Sequence, residues 1–227
     1  MEDRDARPPG RHAGLYHFAL LHPSRQELGR AVARLVATRT PISGASDHGI
    51  SEAIYLPDPD DNGIELAADR PRDRWGDLSD PTTIGPQPLD LEGLLATVAE
   101  EQPQNHTDPA LAVGHLHLHV GDVDQALDFY RRVVGFEVQT LFPNAAFMSV
   151  GGYHHRLAFN TWRGEGVPPV PGGVVGLRRW TVLLDQPDLD AVTLRLADAG
   201  IDYAVHFAGV LVRDPWNNAL LLAERGG

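Results

Sequence analysis

The chain has 227 residues, of which 22% are charged and 42% hydrophobic, with a formal net charge of -12 and no cysteine. This is a globular balance, long enough for one large or two small domains. The acidity excludes a nucleic-acid surface, and the missing cysteines exclude disulfides, thiolate metal sites and a cysteine nucleophile. A cysteine-free chain fits a reducing cytoplasm, the expected compartment. No apolar run is long enough to span a bilayer, so no membrane partner is expected.

Residues 1–12 are charged and proline-rich, a linker-like segment without the apolar stretch of a secretory signal. Residues 13–70 open with a strand at Tyr16–Leu21. A helix follows, capped by Ser24 and carrying Leu28, Val32 and Leu35 on one face. The turn Asp58-Pro59-Asp60-Asp61-Asn62-Gly63 then leads into a last strand, Ile64-Glu65-Leu66. Residues 71–112 change texture, with linker-like stretches around one expected helix at Leu89–Ala99.

Residues 113–227 hold two further copies of the same unit. One runs from the strand Gly114–Val120 through Asp122 and a helix to Gly135. The other runs from Trp180–Leu184 through Asp188 and a helix to Gly200, and its turn Asp214-Pro215-Trp216-Asn217-Asn218 precedes Ala219–Leu222. Ser24, Asp122 and Asp188 are the expected N-caps, with Gly135 and Gly200 as C-terminal stops. Three strand–helix–strands copies with antiparallel pairing make an α+β protein of repeated βαβββ modules, not a doubly wound sheet.

The chemistry concentrates in the first copy. His17 sits in the opening strand, and His48, Tyr55 and Glu65 follow along a strand–turn–strand. A carboxylate between Ile64 and Leu66 must face water or a partner. Imidazole and carboxylate from different strands suit Fe(II) or Mn(II), leaving positions open for substrate and dioxygen. His115, His117 and His119 alternate onto one strand face and could bind metal, although a partly solvated strand is the plainer expectation. Tyr153-His154-His155 after Gly151-Gly152 reads as a hairpin tip. The chain has no Gly-x-x-x-x-Gly-Lys-[Ser/Thr] phosphate loop, no Gly-x-Ser-x-Gly elbow and no His-Glu-x-x-His.

Four stretches carry a family likeness: Ala13-Gly14-Leu15-Tyr16-His17-Phe18-Ala19-Leu20, Gly44-Ala45-Ser46-Asp47-His48, Gly151-Gly152-Tyr153-His154-His155 and Asn160-Thr161-Trp162. With the run from His48 to Glu65, the chain resembles the vicinal-oxygen-chelate superfamily, which includes glyoxalase I, bleomycin-resistance proteins and extradiol dioxygenases. Within it, the chain is similar to the bacterial catechol 2,3-dioxygenase-like branch. The resemblance implies βαβββ modules forming curved sheets around a metal held by His17 and Glu65. It places His48 on the histidine that hydrogen-bonds substrate and Tyr55 beside an ionised catechol oxygen. It further implies Fe(II), with Mn(II) as alternative, a small catechol-type aromatic and dioxygen as partners, and a homo-oligomer.

In that branch an earlier module carries the first ligand histidine, and Met1 here falls inside what resembles the following linker. The ligand set is therefore expected to be one short, with His115, the first-strand histidine of the next module, as the candidate to complete it. By register, the last repeat has Arg179 where the first has His17 and Leu221 where it has Glu65. Residues 113–227 are accordingly expected to be paired modules acting as a support domain. Asp61, where the branch usually has glycine, and Ser46 depart from its motif. Two other activities fit the same modules: a non-catalytic small-molecule binder and a glyoxalase-like isomerase or lyase.

Overall fold

Ser24 starts the first helix as its sequence position predicts. Its hydroxyl accepts from the Glu27 backbone N–H, so β1 (Gly14–His22) passes directly into α1 (Arg25–Thr38). The computed structural model describes residues 6–8, 10–82 and 84–226. Leu28, Ala31 and Val32 of α1 bury themselves against Ile54, Leu56, Leu66 and Ala68. Those residues belong to β3 (Ser51–Pro57) and β4 (Gly63–Asp69), which pair antiparallel beside β2 (Gly44–Asp47). The expected linker helix is α2 (Leu91–Ala96), capped by Asp90 and shorter than 89–99; its Leu94 joins the same core.

The second copy comprises β5 (Ala112–His119), α3 (Val123–Leu127) and three further strands, β6 (Glu137–Phe142), β7 (Ala145–Ser149) and β8 (Leu157–Asn160). Asp122 caps α3, which widens into a π-type coil over Asp128–Val134 and stops at Gly135, φ 102°. The third comprises β9 (Trp180–Leu184), α4 (Gln186–Asp198), β10 (Tyr203–His206), β11 (Gly209–Arg213) and β12 (Ala219–Glu224). Its N-cap position is Asp185 rather than Asp188. Pro187, in the first turn, starts the helix earlier and leaves Asp188 inside it.

Two sheets result, one of eight strands in the order β2-β3-β4-β1-β5-β8-β7-β6 and one of four in the order β10-β11-β12-β9. Each copy contributes the same sequence of strands, its first strand parallel to its last. The fold is the repeated βαβββ arrangement that the three copies imply. The pairing of copies differs from the expected 113–227 unit: β5 hydrogen-bonds antiparallel to β1, joining the second copy to the first. The third meets the second through side chains, with Leu118, Phe129, Tyr130 and Phe159 sharing a core with Leu196, Val212, Leu220 and Leu222. Sequence repeats reveal the copies but not which edges meet. Of the segment 1–12, residues 1–5 and 9 lie outside the described residues, while Arg7 bridges Val174.

The two similar turns are also alike in structure. Asp58 accepts from the backbone N–H of Asp60 and Asn62 and from the Asn62 side chain; Asp214 does the same for Trp216 and Asn218. The first of these turns delivers Gly63 against β1. A Cβ there would overlap the Tyr16 carbonyl oxygen and lie 2.9 Å from the Cβ of His17. Gly63→Ala should therefore destabilise the protein by about 1–3 kcal/mol, read as a lowered urea midpoint.

Candidate metal centre and its cavity

Parallel pairing of β1 with β4 sets Ala19 opposite Glu65, and antiparallel pairing of β1 with β5 sets the same Ala19 opposite His115. His17, two residues back on the same face, turns toward both. Its Nε2 lies 2.9 Å from Glu65 Oε2 and 3.2 Å from His115 Nε2, and His115 Nε2 lies 3.3 Å from the same Oε2. All three side chains are buried. They form the one group of potential metal ligands found among the described residues. Metal–ligand bonds of about 2.1 Å put adjacent octahedral ligands roughly 3.0 Å apart, so the spacing suits one face of a six-coordinate divalent ion. The donor set, two imidazoles and a carboxylate, fits such an ion.

Electrostatics prepares the three groups. Burial pushes the His17 imidazolium down despite the Glu65 carboxylate beside it, leaving the ring neutral with a lone pair to give. For Glu65, burial acts upward, but the charge of His115 and hydrogen bonds from His115 and His17 outweigh it and hold the carboxyl well below its ordinary range.

The remaining histidines are sorted by their hydrogen bonds. His117, expected on a partly solvated strand with His115 and His119, is buried like both of them, because β1 covers one edge of β5 and β8 the other. Asn160 fixes its tautomer: Oδ1 accepts from the Trp162 backbone N–H and His119 Nδ1, so Nδ2 donates to His117 Nε2 at 2.8 Å. That nitrogen is occupied, which separates His117 from the ligand set. His154 and His155 lie in the β7–β8 hairpin connection, yet both are buried. His154 Nε2 lies 3.0 Å from Asp69 Oδ1, and its Nδ1 lies 2.7 Å from His155 Nδ1. Asp69 accepts, so His154 Nδ1 must accept from His155 Nδ1–H, and His155 Nε2 is left without a proton. The His155 ring packs on His115 with centroids 4.1 Å apart, a support for the candidate ligand that the sequence reading missed.

His48 and Tyr55 come together on the other side. Their Nε2 and Oη are 2.9 Å apart, and Tyr55 pairs across the strands with Glu65. Burial first, then the Glu65 charge and a hydrogen bond to it, push the phenol well up, so Tyr55 stays protonated. Since the phenol proton goes to Glu65, His48 Nε2 donates to Tyr55. The Asp47 carboxylate pairs with Arg70 at 2.5 Å, and Arg70 and Arg25 both reach Glu52, which ties down the hairpin carrying His48. A cavity of about 700 Å³ opens above the three candidate ligands, lined also by His48, Tyr55, Tyr16, His117, Phe142, Phe147, His155, Trp162 and Arg163.

Comparison with known proteins agrees with this geometry. Residues 112–225 match the model of the Glyoxalase/Bleomycin resistance protein/Dioxygenase superfamily. The catechol-2,3-dioxygenase of Bacillus subtilis (strain 168) is 42% identical over 212 residues, covering 92% of this chain and 74% of that protein. The chain belongs to the glyoxalase/bleomycin resistance/dioxygenase superfamily. Among solved structures, a candidate dioxygenase from Bacillus subtilis shares the fold at TM-score 0.59 and 14% identity, over 94% of this chain and 63% of that one. A glyoxalase I variant from Zea mays does so at TM-score 0.55 and 14% identity, over 94% and 69%.

Two outcomes follow. His17→Ala, His115→Ala and Glu65→Ala should each lose bound divalent metal, measured by elemental analysis after dialysis, whereas His117→Ala should keep it. In the metal-free protein, burial depresses seven histidines: His17, His22, His48, His117, His119, His154 and His155. Below about pH 6.5 the unfolded chain takes up protons that the folded rings refuse. Stability from this source is complete above that pH and lost below it, so the urea midpoint should be lower at pH 5.5 than at pH 7.5.

Proposed function

We propose that the protein is a non-haem Fe(II)-dependent extradiol dioxygenase that opens the ring of a catechol-type aromatic beside its hydroxyls. The observation that carries this reading is the convergence of His17, His115 and Glu65 under a cavity with aromatic walls. The 42% identity to a catechol-2,3-dioxygenase supports it. Mn(II) suits the same oxygen and nitrogen donors and is the alternative ion. Bound at the three ligands, the ion supplies a positive centre at which both hydroxyl oxygens of a catechol and dioxygen can meet.

The chain's own residues then divide the remaining work. Glu65 supplies the negative charge that balances the ion, and the Tyr55 phenol fixes its orientation across the strand pair. His48 Nε2–H and the Tyr55 hydroxyl form a chain of donors that ends on Glu65, and a substrate oxygen bound beside them can take over one of these hydrogen bonds. They stabilise charge on that oxygen and keep the substrate in one orientation. His155, its Nε2 free, can accept a hydrogen bond from a substrate hydroxyl at the opposite wall. Phe142, Phe147 and Trp162 exclude water from the ring face.

A detail of register favours this reading over a glyoxalase-like isomerase that draws a carboxylate from each module. Glu65 pairs with the residue two beyond His17, and Ala158 pairs with the residue two beyond His115. The second module thus puts a methyl group where the first puts a carboxylate, and three ligands are supplied rather than four. A cytoplasmic homo-oligomer remains part of this reading, checked by light scattering and cell fractionation.

The test is catechol-dependent oxygen uptake by the chain reconstituted anaerobically with Fe(II). Uptake with formation of a ring-opened product is expected. His48→Ala should lower kcat by roughly 10²–10⁴-fold while leaving bound iron in place. Stoichiometric iron without uptake on any catechol would overturn the assignment.

A further inference from the structure

The cavity is larger than its chemistry alone requires. About 700 Å³ lies within the range that takes a drug-sized ligand, far more than one ring with two hydroxyls. Trp162 and Arg163, which follow the end of β8 in the second module, form part of its wall. Arg163 is the sole Lys or Arg among the described residues that line the cavity. Its guanidinium carbon sits 4.9 Å from the centroid of the Tyr16 ring. Tyr16 in turn packs against His17, His117 and Trp162, so the ring beneath the guanidinium is itself anchored.

No carboxylate lies within ion-pair distance of Arg163 among the described residues, whereas Arg25, Arg30 and Arg70 of the first module each have one. Two acids line the cavity, and neither forms an ion pair with Arg163. Glu65 belongs to the ligand set, and Asp61 sits in the β3–β4 turn of the first module. A flat cation on an aromatic ring, with its donors unspent and facing a cavity, suits bidentate recognition of a carboxylate.

We propose that Arg163 reads the substrate's substituent: the ring this cavity takes carries a carboxylate on a carbon away from its two hydroxyls, and Arg163 holds that carboxylate. The inference rests on the catechol reading above and names the class of catechol. It also sets the direction of the bound ring, with its hydroxyls over His17, His115 and Glu65 and its substituent toward Trp162. A neutral catechol leaves the guanidinium to solvent, whereas an anionic one replaces that hydration with a charge-assisted pair.

Titration calorimetry of the Fe(II)-loaded chain under nitrogen tests this without turnover. The probes are 4-methylcatechol and 3,4-dihydroxyphenylacetate, which differ chiefly in the carboxylate. The wild type should bind the anionic probe about 10- to 100-fold more tightly, with the preference falling as salt rises. Arg163→Gln should collapse the ratio toward one, and Arg163→Lys should restore part of it. Arg163 is exposed, so both variants are expected to fold, verified by an unchanged thermal midpoint. Equal affinities in the wild type, or a preference that survives in Arg163→Gln, would overturn the role of Arg163 while leaving the catechol reading intact. Failure of both probes to bind would overturn the two together.

Discussion

Everything at the site depends on one edge-to-edge contact, the antiparallel pairing of β1 with β5. It joins two four-stranded modules into a single eight-stranded sheet. The register sets His17 opposite His117 and Ala19 opposite His115, so His17 meets His115 diagonally. A shift of one residue would turn every side chain of one strand to the far face and dissolve the ligand set. Gly63 makes the same demand from the other flank, since only a residue without Cβ lets β4 come so close to β1 at His17. The candidate ligands thus sit on backbone whose position is fixed from both sides.

Burying so many histidines is costly, and the structure offsets part of that cost by hydrogen-bonding several ring nitrogens, while both nitrogens of His22 and Nε2 of His119 have no partner. Asn160 engages His117 and His119, Asp69 engages His154, and His154 engages His155. What is left over is informative. His17 and His115 turn their Nε2 atoms to a shared carboxylate oxygen and to each other, so three donor atoms converge on a space that one cation would fill. The network around them resembles the outer support that holds metal-ligating histidines in one tautomer and one orientation.

Much of this was legible in the sequence, and the limits have a physical cause. His17, His48, Tyr55 and Glu65 are recognisable because they lie along one module, at spacings fixed by local strand and turn geometry. The capping residues Ser24 and Asp122 and the paired Asp-Pro turns are local in the same sense. His115 could be named as a candidate but not placed, since its partnership with His17 depends on pairing between residues 98 apart. The same limit hid the burial of His117 and the Asp69–His154–His155 chain, whose members look like a surface acid and a hairpin tip when read alone. Asp188 was misassigned for a local reason, because Pro187 favours an earlier start to the helix.

The three modules are alike in topology but unequal in chemistry. In the third, Leu221 pairs with Thr181 as Glu65 pairs with Ala19 in the first, so Arg179 takes the place of His17 and Leu221 that of Glu65. In the second, Ala158 takes the carboxylate position while His115 keeps the imidazole. A cup built from the first and second modules therefore brings the three candidate ligands together, and any cup involving the third would lack at least one of them. Asp61 departs from the motif yet keeps the backbone conformation of the turn. It adopts φ 64°, the left-handed conformation that explains a preference for glycine at this turn, and aspartate is among the few side chains that accept it. Its backbone N–H still bonds the Asp58 carbonyl, so the turn that carries Gly63 and Glu65 into place keeps its shape.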